Sequence, residues 1–219
     1  MKYNQTIGLI CNVWDDPRGV MRILSQDSIL DFDFLCFFDG KFSNWEGKPE
    51  FNDDEVHKVV ADFGEKYQDM VSTIYENVQG KTEAEKRNHS FYISKQLGFD
   101  WGLVVDADEI PYLDKHKWNE EKDLLKDSSF GCHAVNFNNH GQLQRRPRLY
   151  NMRESPYLIQ HPDKTSHNHI YSSIDGRDLP VDVTKTTYTV ESIKLEHNKE
   201  FYSKYRFECR NKFATISNH

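Results

Sequence analysis

The sequence predicts an α/β fold with a mostly parallel sheet, helices on both faces, and a smaller antiparallel, loop-rich C-terminal portion. Three observations predict it. Short apolar runs alternate with amphipathic stretches from residue 6 to residue 105, an order that builds parallel strands joined by helical crossovers. One run, Trp101-Gly-Leu-Val-Val105, is unbroken, as suits a strand buried on both faces. Beyond residue 130, strand-like segments are separated by long polar stretches.

Residues 6–11 read as the first strand, stopped by Asn12-Val-Trp-Asp-Asp-Pro17. Pro17 suits the first turn of a helix capped by Asp15 or Asp16. That helix turns Val20, Ile23 and Leu24 inward and ends near Ser28. Residues 32–38 are a second strand, closed by Asp39-Gly40, by itself an ordinary turn pair. Residues 41–52 form a loop carrying Phe42, Trp45 and Phe51. Asp53 can cap a helix to about Tyr67, with Val56, Val59, Val60 and Phe63 on one face. Residues 70–75 are a third strand.

Thr82 and Glu85 then form a capping box for a helix running to about Leu97, with Gly98 as its stop. At helical spacing Ala84, Arg87, Asn88 and Phe91 share a side. Arg87 or Asn88 therefore faces the sheet, where it bonds neighbouring loops or meets a ligand. Trp101 opens the fourth strand. In the second half, residues 130–137 are a strand, Asn139-His-Gly141 a turn, and 145–151 a basic strand-like segment. Residues 154–182 are loop-rich, 187–197 alternate as an antiparallel edge strand, and 200–213 form a final helix. The chain is expected to be one domain over 1–219, its halves meeting at 113/114.

A net charge of −7 argues against a general nucleic-acid binder, which carries a basic footprint. Aromatics make up 13% of residues and can fill a core. Among the four cysteines no CxxC pair occurs. Cys11, Cys36 and Cys132 lie in apolar contexts and read as buried thiols of a reducing compartment. No stretch reaches membrane-spanning length and no signal-peptide pattern opens the chain. The expected location is cytoplasmic, with peripheral contact at a membrane left open through a partner or lipid-linked substrate.

The fourth strand runs into Asp106-Ala-Asp-Glu109. Ligands of open α/β sheets sit beyond the carboxyl ends of the strands. Carboxylates at i and i+2 with a small residue between can share a hard cation, Mn²⁺ or Mg²⁺, which can bridge a pyrophosphate. The plain alternative is an acidic surface turn. His167-Asn-His169 puts both rings on one side of an extended segment, a geometry that suits a metal, or forms a surface loop.

With these segments in order, the chain resembles GT-A-fold (Rossmann-like) glycosyltransferases of the broad family 2 type over residues 5–113. Residues 7–15 are similar to the family's first strand and nucleotide-binding loop, which implies substrate roles for Asn12, Trp14 and Asp15. Asp39 falls where the family contacts the nucleobase or ribose. Gly80-Lys81 with Lys86-Arg87-Asn88 resembles its Gly-Lys-Ser…Ala-Arg-Asn helix, implying roles for Lys81, Arg87 and Asn88. Asp106-Ala-Asp108 resembles its metal-binding Asp-x-Asp motif. Beyond that, Pro147-Arg148-Leu149-Tyr150, His167, His169 and His197 resemble an Arg-Leu-Phe…His…His series. This implies Arg148 at the substrate and His197 completing the metal site, with His167 or His169 as the alternative.

The resemblance implies a metal-dependent, hexosyltransferase-like and inverting enzyme. Its donor would be a UDP- or GDP-sugar and its acceptor a glycan, a lipid-linked glycan or a protein. The family's Glu-Asp base pair has no counterpart, which leaves Asp163, Asp175 and Asp178, with Glu154, as candidate bases. Two other classes share part of the pattern. Phosphohydrolases of the haloacid-dehalogenase type use an Asp-x-Asp, but after the first strand. A non-catalytic sugar-nucleotide or glycan-binding module would keep the fold and lack the base.

Overall fold

Four strands, Ile7–Val13 (β1), Phe34–Asp39 (β2), Ser72–Asn77 (β3) and Trp101–Asp106 (β4), pair in parallel in the order β3-β2-β1-β4. The structure, a computed structural model, describes residues 5–41, 54–79, 81–125, 132–154, 156–160, 168–174, 177–180 and 188–197. β1 is buried along its whole length and β4 as far as Val105, because helices cover both faces. Pro17–Leu24 (α1) and Glu55–Tyr67 (α2) pack on one face, where Val20, Ile23, Val56 and Val60 meet Leu9, Cys11, Leu35, Phe37 and Val105. Glu83–Gln96 (α3) covers the other, where Ala84 and Phe91 meet Ile10, Cys36, Phe38 and Val104. The fold is the α/β, Rossmann-like one that the sequence predicts.

The caps follow local chemistry. Asp16 accepts from the Gly19 N–H at the start of α1, where Pro17 needs no amide partner. The Thr82/Glu85 capping box opens α3, and Gly98, at a φ of 86°, follows its end. Helix α1 stops at Leu24, short of Ser28, and a 3-10 turn over Asp27–Asp31 leads into β2. Helix α2 starts after Asp54, one residue later than predicted, with no side-chain cap.

The sheet continues past β4 in a different style. Glu109–Leu113 (β5), Cys132–Asn139 (β6), Gln142–Asn151 (β7) and Thr189–His197 (β11) extend it as β4-β7-β6-β11-β5. β7 is antiparallel to both β4 and β6. The prediction of an edge strand at 187–197 is corrected. β11 lies inside the sheet, parallel to β6 and antiparallel to β5. The strand that occupies the edge is β5, a segment whose Pro111 and acidic start hide it from pattern reading. Lys115–Leu125 (α4) was hidden by polarity; it buries Trp118, Glu121 and Leu125 at i, i+3 and i+7.

The loop-rich reading of 154–182 is also corrected. Pro156–Gln160 (β8), Asn168–Ile174 (β9) and Arg177–Pro180 (β10) form a separate three-stranded antiparallel sheet. Backbone pairing between the strands overrides a composition that looks like loop. The predicted 42–52 aromatics and the 200–213 helix lie outside the described residues. Cys11, Cys36 and Cys132 are buried thiols outside any disulfide, and burial, helped by Glu76, pushes Cys36 up to about 12.

Candidate active site

At the carboxyl end of β4 the chain turns sharply through Ala107 and Asp108 into β5. Ala107 is fully buried, and the first turn of α1 presses on its carbonyl: a Cβ on Gly19 would fall 2.4 Å from the Ala107 oxygen. Small residues at both positions let the helix and the acidic turn meet. The turn sends its carboxylates to two different partner sets.

Asp106 lies between two arginines. Arg87 of α3 donates to its Oδ1 at 3.0 Å, and Arg148 of β7 approaches Oδ2 at 3.5 Å. Arg148 also donates to Glu109 Oε1, while Glu109 Oε2 accepts the Asp106 N–H at 3.0 Å. Burial pushes Glu109 up to about 7; Arg148 opposes the rise, and the Asp106 and Asp108 charges add to it. Burial works to lower the pKa of Arg148, but Glu109 and Asp106 outweigh it and raise it.

Arg148 reaches this position because of a β-bulge. Ala134 pairs with Pro147 and His133 with Leu149, so Arg148 is the extra residue of β7. Bulges re-aim side chains in this way and are common beside functional sites.

Asp108, 7% exposed, faces His197 at the end of β11, Oδ2 to Nε2 3.4 Å. His197 Nδ1 donates to Asn139 Oδ1 at 2.8 Å, which leaves Nε2 as the nitrogen turned toward the carboxylate. A second-side hydrogen bond of this kind fixes the ring of a metal-binding histidine. The His197 ring also stacks on Phe137 with centroids 5.8 Å apart.

Between the acidic turn and the β6–β7 hairpin lies a cleft of about 360 Å³, lined by Asp106, Asp108, Asn139, Arg146, Arg148 and His197 among others. Among the described residues, no three His, Cys, Asp or Glu side chains gather closely enough to hold a metal by themselves. The oxygen of Asp108 nevertheless fits Mn²⁺ or Mg²⁺, and the nitrogen of His197 beside it is a ligand that Mn²⁺ accepts more readily than Mg²⁺. Such ions take one or two carboxylates and complete their shell with water and substrate phosphates.

The residues on β1 and β2 lie on the far side of β4 from this cleft. Asn12 pairs in register with Asp106. It is 3% exposed, and among the described residues neither atom of its amide has a hydrogen-bond partner. Trp14 is buried with the Lys41 ammonium 5.8 Å from its ring, and buried Asp15 adopts a φ of 51°. Asp39 accepts from Tyr75 Oη at 3.1 Å, and its buried Oδ1 has no hydrogen-bond partner among the described residues. Burial raises the Asp39 pKa against the opposing pull of Lys86 and Tyr75. Lys81 and Asn88 are half-buried, before and within α3.

The structure thus brings Asp106, Asp108, Arg148 and His197 into one cleft, with Arg87 against Asp106. Asn12, Trp14, Asp15, Asp39, Lys81 and Asn88 do not line it. Asp163, His167 and Asp175 lie outside the described residues. His169 and Asp178 sit on strands described through their backbone, opposite Ile159 and Ser173.

Four residues of this region carry no predicted role of their own: Lys86, Glu109, Asn139 and Arg146. Lys86 is fully buried and donates to the carbonyls of Val13 at 2.6 Å and Gly40 at 2.9 Å. A helical wheel reads it as solvent-facing. Glu109 has a signal in its place directly after Asp108; Asn139 and Arg146 have none without the β6–β7 pairing.

No protein-family model matches the chain, and no curated protein does. Among solved structures it is similar to S. aureus TarS 1–349, over 68% of this chain and 47% of that one, at 14% identity and TM-score 0.43. It is also similar to S. aureus TarS over 61% of this chain and 21% of that one, at 14% identity and TM-score 0.39. A third is glucosyl-3-phosphoglycerate synthase from Mycobacterium tuberculosis in complex with Mn²⁺, UDP and phosphoglyceric acid. There the likeness covers 69% of this chain and 57% of that one, at 11% identity and TM-score 0.41. The chain spans less than two thirds of the length of each of these structures.

Proposed function

We propose that the chain is a glycosyltransferase that moves a hexosyl group from a nucleoside diphosphate sugar, UDP- or GDP-linked, to an acceptor hydroxyl. One observation carries the reading. Asp106 and Asp108 stand at the carboxyl end of the strand beside β1, and the end of a distant strand delivers His197 onto Asp108. An acidic surface turn would not gather two partly buried arginine contacts and an oriented histidine.

Asp108 and His197 would hold Mn²⁺ or Mg²⁺, which supplies neutralisation of the charge developing on the leaving diphosphate. Arg87 and Arg148 fix Asp106 and add positive charge beside that diphosphate. Asn12, Trp14, Asp15 and Asp39 would take the nucleoside, and Lys81 and Asn88 the phosphates. In the transfer, the acceptor oxygen bonds to the anomeric carbon as the bond to the diphosphate breaks, which inverts the centre. Asp163, Asp175 or Asp178 would take the hydroxyl proton. In support of Asp178, the three-stranded sheet that carries it packs through β8 along α3, the helix from which Arg87 reaches Asp106. We place the protein in the cytoplasm on its buried thiols outside any disulfide. Among the described residues no helix is long and apolar enough to cross a membrane. A glycan, lipid-linked or protein acceptor would occupy the 114–219 half, with peripheral membrane contact where that acceptor is lipid-linked.

The test is thermal unfolding with Mn²⁺ and, in turn, UDP, GDP, CDP and dTDP, on the wild type and on Asp106→Asn/Asp108→Asn. A ligand that binds only the folded state raises Tm by mass action. The expected result is a metal-dependent rise with one nucleotide, absent in the double variant. No rise with any nucleotide would overturn the reading. Asp108→Asn alone should reduce transfer by about a thousandfold or more, as loss of a principal electrostatic group does, with Tm unchanged without ligand.

A further inference from the structure

The cationic side chains that touch the acidic turn are already committed. Arg87 pairs with Asp106, Arg148 with Asp106 and Glu109, and His197 faces Asp108. Arg146 lines the same cleft and differs. Its Nε and Nη2 donate to one neutral acceptor, Gln144 Oε1, at 2.9 and 2.7 Å. Its guanidinium lies over Phe137, 5.8 Å from the ring centroid. Among the described residues no carboxylate pairs with it.

An exposed arginine normally loses rotamer freedom when it is held still. Here Gln144, on the same face of β7, and the Phe137 ring hold it with one edge occupied. The other edge of the planar fork remains for a ligand, and that edge suits the paired oxygens of a phosphate or carboxylate. The strand order fixes which ligand. In β2-β1-β4-β7-β6, the nucleoside residues proposed above stand on the β1–β2 side of the acidic turn and Arg146 stands on the β7–β6 side. Arg146 is therefore across the acidic turn from the donor.

We infer that Arg146 is an acceptor-specificity residue, and that the acceptor is anionic, with a phosphate or carboxylate next to the hydroxyl that receives the sugar. The inference rests on the transferase reading for the word acceptor; the anion subsite itself rests only on the cleft.

The experiment is calorimetric titration of glycerol 3-phosphate, glycerate and glycerol into the full chain with Mn²⁺, with and without UDP. It is run on the wild type, Arg146→Gln and Arg145→Gln. Arg145 is exposed, pairs with Asn136 and does not line the cleft, so its variant removes the same charge outside the site. Expected are binding of at least one anion to the wild type and to Arg145→Gln, a loss of about tenfold or more in Arg146→Gln, and no binding of glycerol. Whichever of the two anions binds tighter names the group. UDP stabilisation should be equal in all three proteins.

Equal anion affinity in Arg146→Gln, binding of glycerol as tight as the anions, or no anion binding to the wild type would overturn the inference. Loss of UDP stabilisation in Arg146→Gln would also overturn it, by placing Arg146 on the donor. If UDP and the other nucleotides fail to stabilise the wild type while Arg146-dependent anion binding persists, the donor reading falls and the anion subsite stands.

Discussion

Each half of the large sheet is held by one buried charge, at its functional end in the parallel half and at the opposite end in the antiparallel half, and the two charges are opposite. In the parallel half, Lys86 reaches from α3 across the ends of β1 and β2 to the carbonyls of Val13 and Gly40, beside Asp39. In the antiparallel half, Glu121 of α4 accepts the N–H groups of Glu191 at 3.0 Å and Ser192 at 2.9 Å, together with Tyr188 Oη at 3.3 Å. There β11 slips between Val190 and Lys194, so residues 191–193 have no ladder partner on β6.

The reason is the kind of backbone group each half leaves over. Parallel strand ends present carbonyls, which need a donor, whereas an irregular segment inside a sheet strands N–H groups, which need an acceptor. Lys86 fixes the loop after β1, and Glu121 fixes the slip that sets the register in which His197 meets Asp108.

Breaking the clasps should separate the halves. Lys86→Met removes the ammonium donor from two buried carbonyls, of which that of Val13 keeps the Gly40 N–H at 3.2 Å, and the cation from buried Asp39. It should cost about 3 to 5 kcal/mol in urea unfolding, as loss of one partner of a buried charged cluster does. A loss below about 1 kcal/mol would mean that the strand ends hold without it.

The next effect is one of pH. Burial lowers His133, on β6 against the Trp101 ring, from an ordinary 6.5 to about 4. Between those values the unfolded chain binds more protons than the folded one. Stability from this group is therefore complete above pH 6.5 and is lost as pH falls toward 4, by up to about 3 kcal/mol. Urea midpoints from pH 7.5 to 4 should show that slope in the wild type and a flatter one in His133→Phe.

Glu121→Gln turns one of two acceptors into a donor and orphans a backbone N–H. It should cost about 2 kcal/mol, with faster amide exchange at residues 191–193 and not at 7–13. Equal exchange in both regions would show that the clasps act as one unit.

The smallest effect has the opposite sign. Asn12 keeps a buried amide with no partner among the described residues, so Asn12→Val should raise stability by about 1 kcal/mol in the absence of ligand. The same variant should weaken the nucleotide-dependent rise in Tm. A stabilised variant with an unchanged nucleotide response would remove Asn12 from the donor site.

Sequence alone determined the parallel half. Strands β1, β2 and β4 are marked by apolar runs, helices α1 and α3 by caps that act within four residues, and the acids by their position at a strand end. Those signals are local, so Asp16, the Thr82/Glu85 box, Arg87 and the Asp106–Asp108 turn could be read in order along the chain. The second half was decided by the tertiary structure. Strand β11 pairs on both sides because Glu121, 70 residues away, satisfies its slip. Arg148 enters the site through a bulge defined only by pairing with β6. Arg146 differs from Arg145 in facing the cleft, a distinction set by the register of the hairpin. Composition fixes which groups a chain has to satisfy, but distant pairing decides which partner satisfies them. The contact of Asp108 with His197 is the meeting of those two kinds of information.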